Sequence, residues 1–219
     1  VSGLRLRSLI EREVGSHPGV PVDVIAHSQG GLVARAALDR TPPAGLGMVI
    51  TLASPHRGAD LATLGAMIDH TGPGRDVEQA GHVLRPGGID PTSASVRELA
   101  ESSDFIKHLA PLPPGLRLLS IGERLDPVVP APRAEVEGAT NVIVRSPLGG
   151  NPHSAVTGSP AAQREMARFL AGQAPTCESL VDVVLDAMTG TAITKGEAAA
   201  GALSTLAGHA ADGATPPIP

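Results

Sequence analysis

Four short runs of apolar, largely β-branched residues recur between residues 20 and 145, and turn-forming residues bound each of them. Such runs are typical of strands that are buried on both faces. The intervals between them are too long for hairpins, so they favour parallel strands joined by crossover connections. The sequence therefore predicts an α/β fold with a mostly parallel sheet and flanking helices. The four predicted strands are Val20–Ala26, Gly47–Ala53, Leu116–Gly122 and Asn141–Arg145.

Three further segments carry apolar residues at spacings of three and four, which indicates helices with one buried face. Each predicted helix ends near glycine or proline, because these residues interrupt helical backbone. These helices are expected to flank the sheet. They are Leu4–Val14, Gly30–Asp39 and Ala161–Leu170.

A long insertion, about residues 58–115, separates the second predicted strand from the third. It holds an apolar helix predicted over Leu61–Ile68, a stretch rich in Gly and Pro from Gly72 to Pro91, and a second predicted helix that opens with the capping-box pattern Ser95-Val96-Arg97-Glu98. We expect this insertion to form a helical cap or lid. Residues 1–172 then form the core domain, and residues 173–219 form a helical or loosely ordered C-terminal extension with a candidate helix over Leu180–Met188.

The first predicted strand leads directly into Ala26-His27-Ser28-Gln29-Gly30, and a predicted helix follows at once. A small-x-Ser-x-Gly turn between a strand and a helix is typical of a nucleophile elbow, which projects the serine hydroxyl. Ala26 and Gly30 must be small so that strand and helix can approach each other. The simpler alternative is that Ser28 only caps the helix. Agreement of motif, strand and helix favours the nucleophile.

A serine nucleophile needs a base and a carboxylate that orients the base. In this architecture the acid follows the serine along the chain, and the histidine follows the acid. Asp126 follows the third predicted strand, at the sheet edge where α/β proteins build their sites. His153 follows the fourth strand. Glu123 and Asp104 are competing acids, but Glu123 is too close to the strand end and Asp104 lies in the insertion. Ordinary turn capping by the aspartate and an ordinary loop histidine are the simpler alternatives.

Together these segments resemble the serine lipase and esterase branch of the α/β-hydrolase family. The resemblance covers residues 20–170, and the elbow combined with the ordered triad makes it specific. The matching segments are Ala26-His27-Ser28-Gln29-Gly30-Gly31, Thr51-Leu52-Ala53-Ser54-Pro55-His56-Arg57-Gly58, Asp126-Pro127-Val128-Val129-Pro130, and His153 ahead of the closing helix.

The resemblance implies hydrolysis of carboxylic esters through an acyl-enzyme intermediate. It makes Ser28 the nucleophile, His153 the general base and then acid, and Asp126 the residue that holds the imidazole. It also makes the backbone N–H of Gln29 one donor of the oxyanion hole.

Four residues are candidates for contact with a substrate: His27, His56, Leu61 and Leu64. The competing interpretation for His56 is that it shapes the loop beside the serine. For the two leucines it is packing in a helix core, rather than the lining of an acyl pocket.

The front of the chain departs from the family, whose members carry several strands and an oxyanion loop of His-Gly type before the elbow. Only 27 residues precede Ser28 here. We therefore expect an N-terminally incomplete sheet, low activity because one missing oxyanion donor costs on the order of 10²–10³ in rate, and self-association through an exposed sheet edge. Two alternatives to an ester hydrolase stay open. One is an inactive remnant that acts as an interaction module, and the other is an amidase, peptidase or polyester depolymerase with the same triad.

The composition of the chain argues against nucleic acid and a lipid bilayer as binding partners. The chain has two aromatic residues, Phe105 and Phe169, and a formal charge of −5, so it offers neither base-stacking platforms nor a basic field for nucleic acid. No apolar run approaches the ~18 residues of a membrane span, so stable membrane insertion is not expected. A small-molecule or lipid ester is the expected substrate.

No metal and no cofactor are expected either. His70 and His82, with Asp69 and Asp76 nearby, match no metal-ligand spacing and favour a solvated loop. Cys177 is the single cysteine, and no leader pattern opens the printed chain, so the sequence leaves a cytoplasmic or a secreted location open.

Overall fold

The computed structural model describes residues 2–38, 41–59, 98–126, 128–146 and 151–176, together with positions 184, 188, 191, 192 and 195. Within these ranges four parallel strands form one sheet in the order β1-β2-β3-β4. The predicted α/β class and parallel sheet are confirmed, and each strand begins and ends at most two residues from its predicted bounds. The strands are β1 (Val22–His27), β2 (Leu46–Leu52), β3 (Arg117–Glu123) and β4 (Thr140–Val144).

Helices flank this sheet at the predicted places. Two of them, α1 and α2, cross closely, because Gly3 lies against Ala36 where a Cβ would come within 2.9 Å of the Ala36 backbone. A single 3₁₀ turn, Val156–Gly158, connects the last two helices. The described helices are α1 (Ser2–Ser16), α2 (Gln29–Leu38), α3 (Asp104–Lys107), α4 (Ala131–Ala134), α5 (Pro152–Ala155) and α6 (Pro160–Leu170).

The two faces of the sheet pack against different helices. One face places Val49 and Leu118 against α1 and α2. The other places Ile50 and Ile121 against α6, where Phe169 closes the core. Alternation along each strand produces this division, and full burial of one such apolar side chain contributes about 1.5–3 kcal/mol. The central strands β2 and β3 are therefore covered on both faces, as their sequence predicts.

Residues near the start of the insertion contact residues nearer its end. The N–H of Ala59 donates to the carbonyl of Leu99 at 2.7 Å, and Ala59 forms a parallel bridge with Ala100. The helix predicted from Ser95 does not continue through residues 98–100, because this bridge uses their backbone. The helix α3 starts later, where the Ser103 hydroxyl oxygen accepts from the Ile106 N–H at 3.2 Å.

Several predicted features lie outside the described residues. They are the apolar helix Leu61–Ile68, the Gly- and Pro-rich stretch Gly72–Pro91 and the capping-box residues before Glu98. The division into core, cap and extension stays a prediction.

Beyond α6, the chain is tied back to the core. The N–H of Thr176 donates to Glu165 Oε2 at 3.0 Å, and its hydroxyl donates to Oε1 at 2.5 Å. Farther on, Val184 and Met188 have helical backbone and exposed side chains.

Within the described ranges, no helix combines the length and the apolar character needed to cross a bilayer.

Candidate active site

Ser28 is the single residue between β1 and α2. Its φ of 53° lies in the left-handed region, which side chains with a Cβ rarely adopt. Two hydrogen bonds hold this turn: the Ser28 N–H donates to the carbonyl of Leu52 at 2.9 Å, and the Gly31 N–H donates to the carbonyl of Ser28 at 3.0 Å. The strand, strained turn and helix have the form predicted for a nucleophile elbow.

Small residues allow the close approach of strand and helix around this turn. A Cβ on Gly30 would lie 3.6 Å from the Cβ of Ala26, an ordinary contact distance. The tightest position is Gly31, where a Cβ would overlap the Ser54 hydroxyl and lie 2.6 Å from the Ser54 Cβ. Sequence reasoning singled out Ala26 and Gly30 and missed Gly31, because the contact with Ser54 comes from another segment of the chain.

Ser28, His153 and Asp126 meet at the carboxyl edge of the sheet. His153 Nε2 lies 2.9 Å from Ser28 Oγ, and His153 Nδ1 lies 2.7 Å from Asp126 Oδ2. The imidazole therefore bridges a hydroxyl and a buried carboxyl group. The three residues predicted to form a triad are thus linked by hydrogen bonds through His153.

The carboxyl group of Asp126 is held in a fixed orientation. Its Oδ1 accepts from the N–H groups of Val128 at 2.8 Å and Val129 at 3.0 Å, which leaves Oδ2 toward the histidine. The competing acids lie elsewhere: the Glu123 side chain bonds Ser146, and Asp104 is exposed at the start of α3.

His153 is positioned from both its backbone and its ring. Its N–H donates to Asn151 Oδ1 at 3.0 Å, which caps α5. His27 Nε2 lies 2.8 Å from the carbonyl of His153, so this nitrogen carries a proton and donates it. The two imidazole rings lie 4.8 Å apart at 45°. Contact of His27 with a substrate stays a prediction.

The pKa of His27 is lowered, chiefly because burial removes water from the charged ring. A positive charge on His153 lowers it further, whereas the bond to the His153 carbonyl and the charge of Asp126 act in the opposite direction. The neutral form of His27 is therefore favoured beside His153.

His56 lies at the head of a buried chain of hydroxyl groups. Its Nε2 is 3.0 Å from Thr51 Oγ1. The Thr51 hydroxyl donates to Ser120 Oγ at 3.2 Å, and the Ser120 hydroxyl donates to the carbonyl of Ala134 at 2.6 Å. Because a carbonyl only accepts, each hydroxyl proton is directed away from the ring, and Nε2 carries the histidine proton. Burial, with a smaller contribution from the Arg35 charge, lowers the pKa of His56 to about 3.

This placement favours the interpretation in which His56 shapes the loop beside the serine, since its side chain is only 3% exposed. Leu61 and Leu64 lie outside the described residues, so their contact with a substrate stays a prediction. The described residues hold no group of three or more His, Cys, Asp or Glu side chains placed to bind a metal ion.

Comparison with known proteins adds a family match. The sequence model of the palmitoyl protein thioesterase family matches residues 9–83, which is 75 of 219 residues and includes the whole elbow. This match agrees with the predicted resemblance to serine esterases. A comparison with curated proteins finds no match.

Two solved structures are similar to the chain. One is the mature form of the lipase BlEst2 from Bacillus licheniformis, with 18% identity, a TM-score of 0.46, and coverage of 76% of this chain and 72% of that one. The other is a carboxylesterase structure from the ammonia-oxidizing Thaumarchaeon Nitrososphaera gargenis, with 16% identity, a TM-score of 0.42, and coverage of 78% and 71%.

Proposed function

We propose that this chain is a serine hydrolase that cleaves carboxylic esters through an acyl-enzyme intermediate. The observation that carries the proposal is the hydrogen-bonded series Ser28–His153–Asp126, with contacts of 2.9 and 2.7 Å. A serine hydroxyl is a weak nucleophile at neutral pH, and an adjacent base is what activates it. The strained turn at Ser28 supports the same role, because such strain clusters at functional sites.

In the first half of the reaction, His153 Nε2 takes the proton of Ser28 Oγ while this oxygen attacks the ester carbonyl. Asp126 stabilises the imidazolium that forms, and its two backbone hydrogen bonds keep its other oxygen aimed at Nδ1. Collapse of the tetrahedral intermediate breaks the bond to the alcohol. His153 returns the proton to the departing oxygen, so an alcohol leaves and the acyl group remains on Ser28.

In the second half, water takes the place of the alcohol. His153 removes a proton from the water, whose oxygen attacks the acyl carbonyl, and the proton then returns to Ser28 as the carboxylic acid leaves. The backbone N–H of Gln29 is the proposed oxyanion donor. Its position at the start of α2 places it at the positive end of the helix dipole, which favours a developing negative charge.

A thioester is the second candidate substrate, and the match to the palmitoyl protein thioesterase family favours it. The same residues serve both reactions, but a thiolate leaves with less help from an acid, because a thiol is the stronger acid. Hydrolysis of an oxygen ester and a thioester that share one acyl group separates these candidates. The substrate with the higher kcat/KM identifies the class.

The triad is tested by substitution and by covalent labelling. We expect Ser28→Ala to remove nearly all ester turnover, and Asp126→Asn to lower kcat by about 10⁴-fold, because the histidine loses its correct tautomer. A fluorophosphonate should label the unaltered protein at Ser28 and leave Ser28→Ala unlabelled.

Ser154→Ala is the matched control, since this exposed serine neighbours His153 and should be dispensable. Full activity in Ser28→Ala or Asp126→Asn would overturn the triad. Absence of both turnover and labelling in the unaltered protein would favour an inactive interaction module instead.

A further inference from the structure

We infer that Glu123 is a positioning residue for the proposed triad. Its buried side chain links the segment after β3, which carries Asp126, to Ser146, which follows β4 and precedes His153 in the sequence. The inference rests on the proposed function, and it concerns how two of the three residues are kept at hydrogen-bond distance.

Glu123 is the last residue of β3, and its side chain is 1% exposed. Its Oε2 accepts two hydrogen bonds from Ser146, one from the backbone N–H at 2.8 Å and one from the hydroxyl at 2.6 Å. Its Oε1 faces the N–H of Leu125 at 3.4 Å. Burial of a carboxyl group is costly unless donors surround it, so this arrangement indicates a specific bonding role.

The bonds between Glu123 and Ser146 extend the connection between β3 and β4 beyond the last paired residues of the two strands. Glu123 pairs with Val144 at the last register position of β3 and β4, and the N–H of Arg124 donates to the carbonyl of Val144 at 2.9 Å. Past this position, residues 124–126 follow β3, and residues 145 and 146 follow β4. The Glu123 side chain bonds Ser146 and so connects these two segments directly.

Each of the two connected residues lies close in sequence to the acid or to the base. Asp126 lies three residues beyond Glu123, and its N–H donates to the Glu123 carbonyl at 3.3 Å. His153 lies seven residues beyond Ser146. The 2.7 Å contact between His153 and Asp126 requires a fixed separation of the segments that carry them. A displacement of about 1 Å in such a site costs up to about 100-fold in rate.

An amide cannot replace the carboxyl group here. If the amide oxygen of Glu123→Gln accepts from Ser146, its NH₂ group faces the N–H of Leu125, and the opposite orientation places NH₂ against the two Ser146 donors. Either orientation sets donor against donor. The substitution therefore disturbs the link with almost no change of side-chain volume.

Glu165 of α6 offers a matched control. This buried glutamate of α6 is 3% exposed, and it also accepts the backbone N–H and the hydroxyl of one residue, Thr176. Glu165→Gln disturbs the same kind of bonding, but between residues that take no part in the hydrogen bonds of Asp126 and His153 described above. Any loss that comes only from weaker folding should appear in both variants.

The experiment measures kcat and KM on a short-chain ester, together with the proton NMR signal of the His153 Nδ1–H group, in the full chain well below its unfolding temperature. We expect Glu123→Gln to lower kcat by about 10- to 100-fold with little change in KM, and to shift or broaden the NMR signal. Glu165→Gln should leave both kcat and the NMR signal unchanged. Ser146→Ala, which removes only the hydroxyl bond, should give a smaller loss of kcat.

If Glu123→Gln does not fold, the Ser146→Ala variant decides the matter. An unchanged kcat and NMR signal in folded Glu123→Gln, or in Ser146→Ala when it stands alone, would overturn the inference, as would an equal loss in Glu165→Gln. The NMR signal keeps this test separate from the proposed function. If the unaltered protein neither hydrolyses esters nor reacts at Ser28, the function fails, whereas the effect of Glu123 on the Asp126–His153 contact is still measured.

Discussion

His27 is the last residue of β1 and His56 lies four residues beyond the end of β2, and the two histidines have different surroundings. His27 is half-buried and donates to the carbonyl of His153. His56 is almost fully buried and donates into the hydroxyl chain that begins at Thr51. Burial lowers the pKa of both rings, because the charged form loses its hydration. Both histidines therefore remain neutral at pH values where a free histidine begins to take up a proton.

We expect acid to destabilise the protein through His56. Its folded-state pKa of about 3 lies below the ordinary value of 6.5. Between these two pH values the unfolded chain binds more protons than the folded one, so the free energy of unfolding falls as the pH is lowered. The loss is about 1.4 kcal/mol per pH unit within this window, as an order of magnitude.

The measurement is urea unfolding at about pH 7, just above that window, and at about pH 6 and 5, within it. His56→Gln retains a donor toward Thr51 and does not titrate, so its stability should fall less steeply than that of the unaltered protein. His17→Gln, at an exposed histidine of the turn after α1, serves as the control and should keep the steep slope. Equal slopes in all three proteins would contradict the role of His56.

Two adjacent strands end in the same kind of turn. Ser28 follows β1 with a φ of 53°, and Ala53 follows β2 with a φ of 44°, while His27 pairs with Leu52 just before them. Such backbone costs about 1–2 kcal/mol at each residue that carries a Cβ. Hydrogen bonds to the next strand oppose this cost, since the N–H of Ala53 donates to the carbonyl of Ile121 at 2.8 Å. The sheet thereby supports the strained ends that surround the serine.

We expect Gly31→Ala to be far more damaging than Gly30→Ala, although both residues lie in the first turn of α2. The new methyl group at residue 31 would overlap Ser54, so α2 or the loop after β2 must shift. Overpacking of this kind costs about 1–3 kcal/mol, and a shift of α2 also displaces Ser28. The methyl group at residue 30 meets Ala26 at an ordinary distance of 3.6 Å.

Unfolding free energies and fluorophosphonate labelling rates of the two variants check this expectation. Gly31→Ala should lose both stability and reactivity, and Gly30→Ala should retain most of each. Similar behaviour of the two variants would show that the contact between Gly31 and Ser54 does not constrain the elbow.

Across the whole described sheet, β1 lies at one edge and β4 at the other. Ile25 of β1 is 58% exposed, whereas Ile50 and Leu119, its neighbours in register on the same face, are buried. The helix α6 packs over residues of β2, β3 and β4 on this face. An apolar residue exposed on an edge strand favours pairing with other chains. Self-association through this edge stays a prediction.

The association is tested by sedimentation equilibrium over a range of protein concentrations. We expect the unaltered chain to self-associate and Ile25→Lys to weaken the association, because a charge on an edge strand opposes strand pairing. Val20→Lys is the control, as this exposed apolar residue lies outside β1 and should leave the association unchanged. A monomer at every concentration would exclude the edge as an interface.

The approximate bounds of the strands, and the three residues Ser28, Asp126 and His153 that meet at the sheet edge, could be predicted from the sequence. Buried strands, capped helices and sharp turns are encoded by contiguous residues, so the segment around Ser28 carries its own strand, turn and helix signals. Asp126 and His153 were identifiable because parallel strands bring their carboxyl ends to one edge. The exception is the capping box at Ser95, whose local signal did not produce a helix through residues 98–100, where Leu99 bonds Ala59.

The supporting contacts were decided only by the tertiary structure. Gly31 against Ser54, Glu123 against Ser146, and His56 in series with Ser120 join residues from separate parts of the chain. The choice of partners depends on how the register of the sheet aligns distant segments, and no periodic pattern in one segment records that alignment. A buried glutamate and a neutral buried histidine break the local expectation that polar residues are solvated, and only packing determines which donors satisfy them.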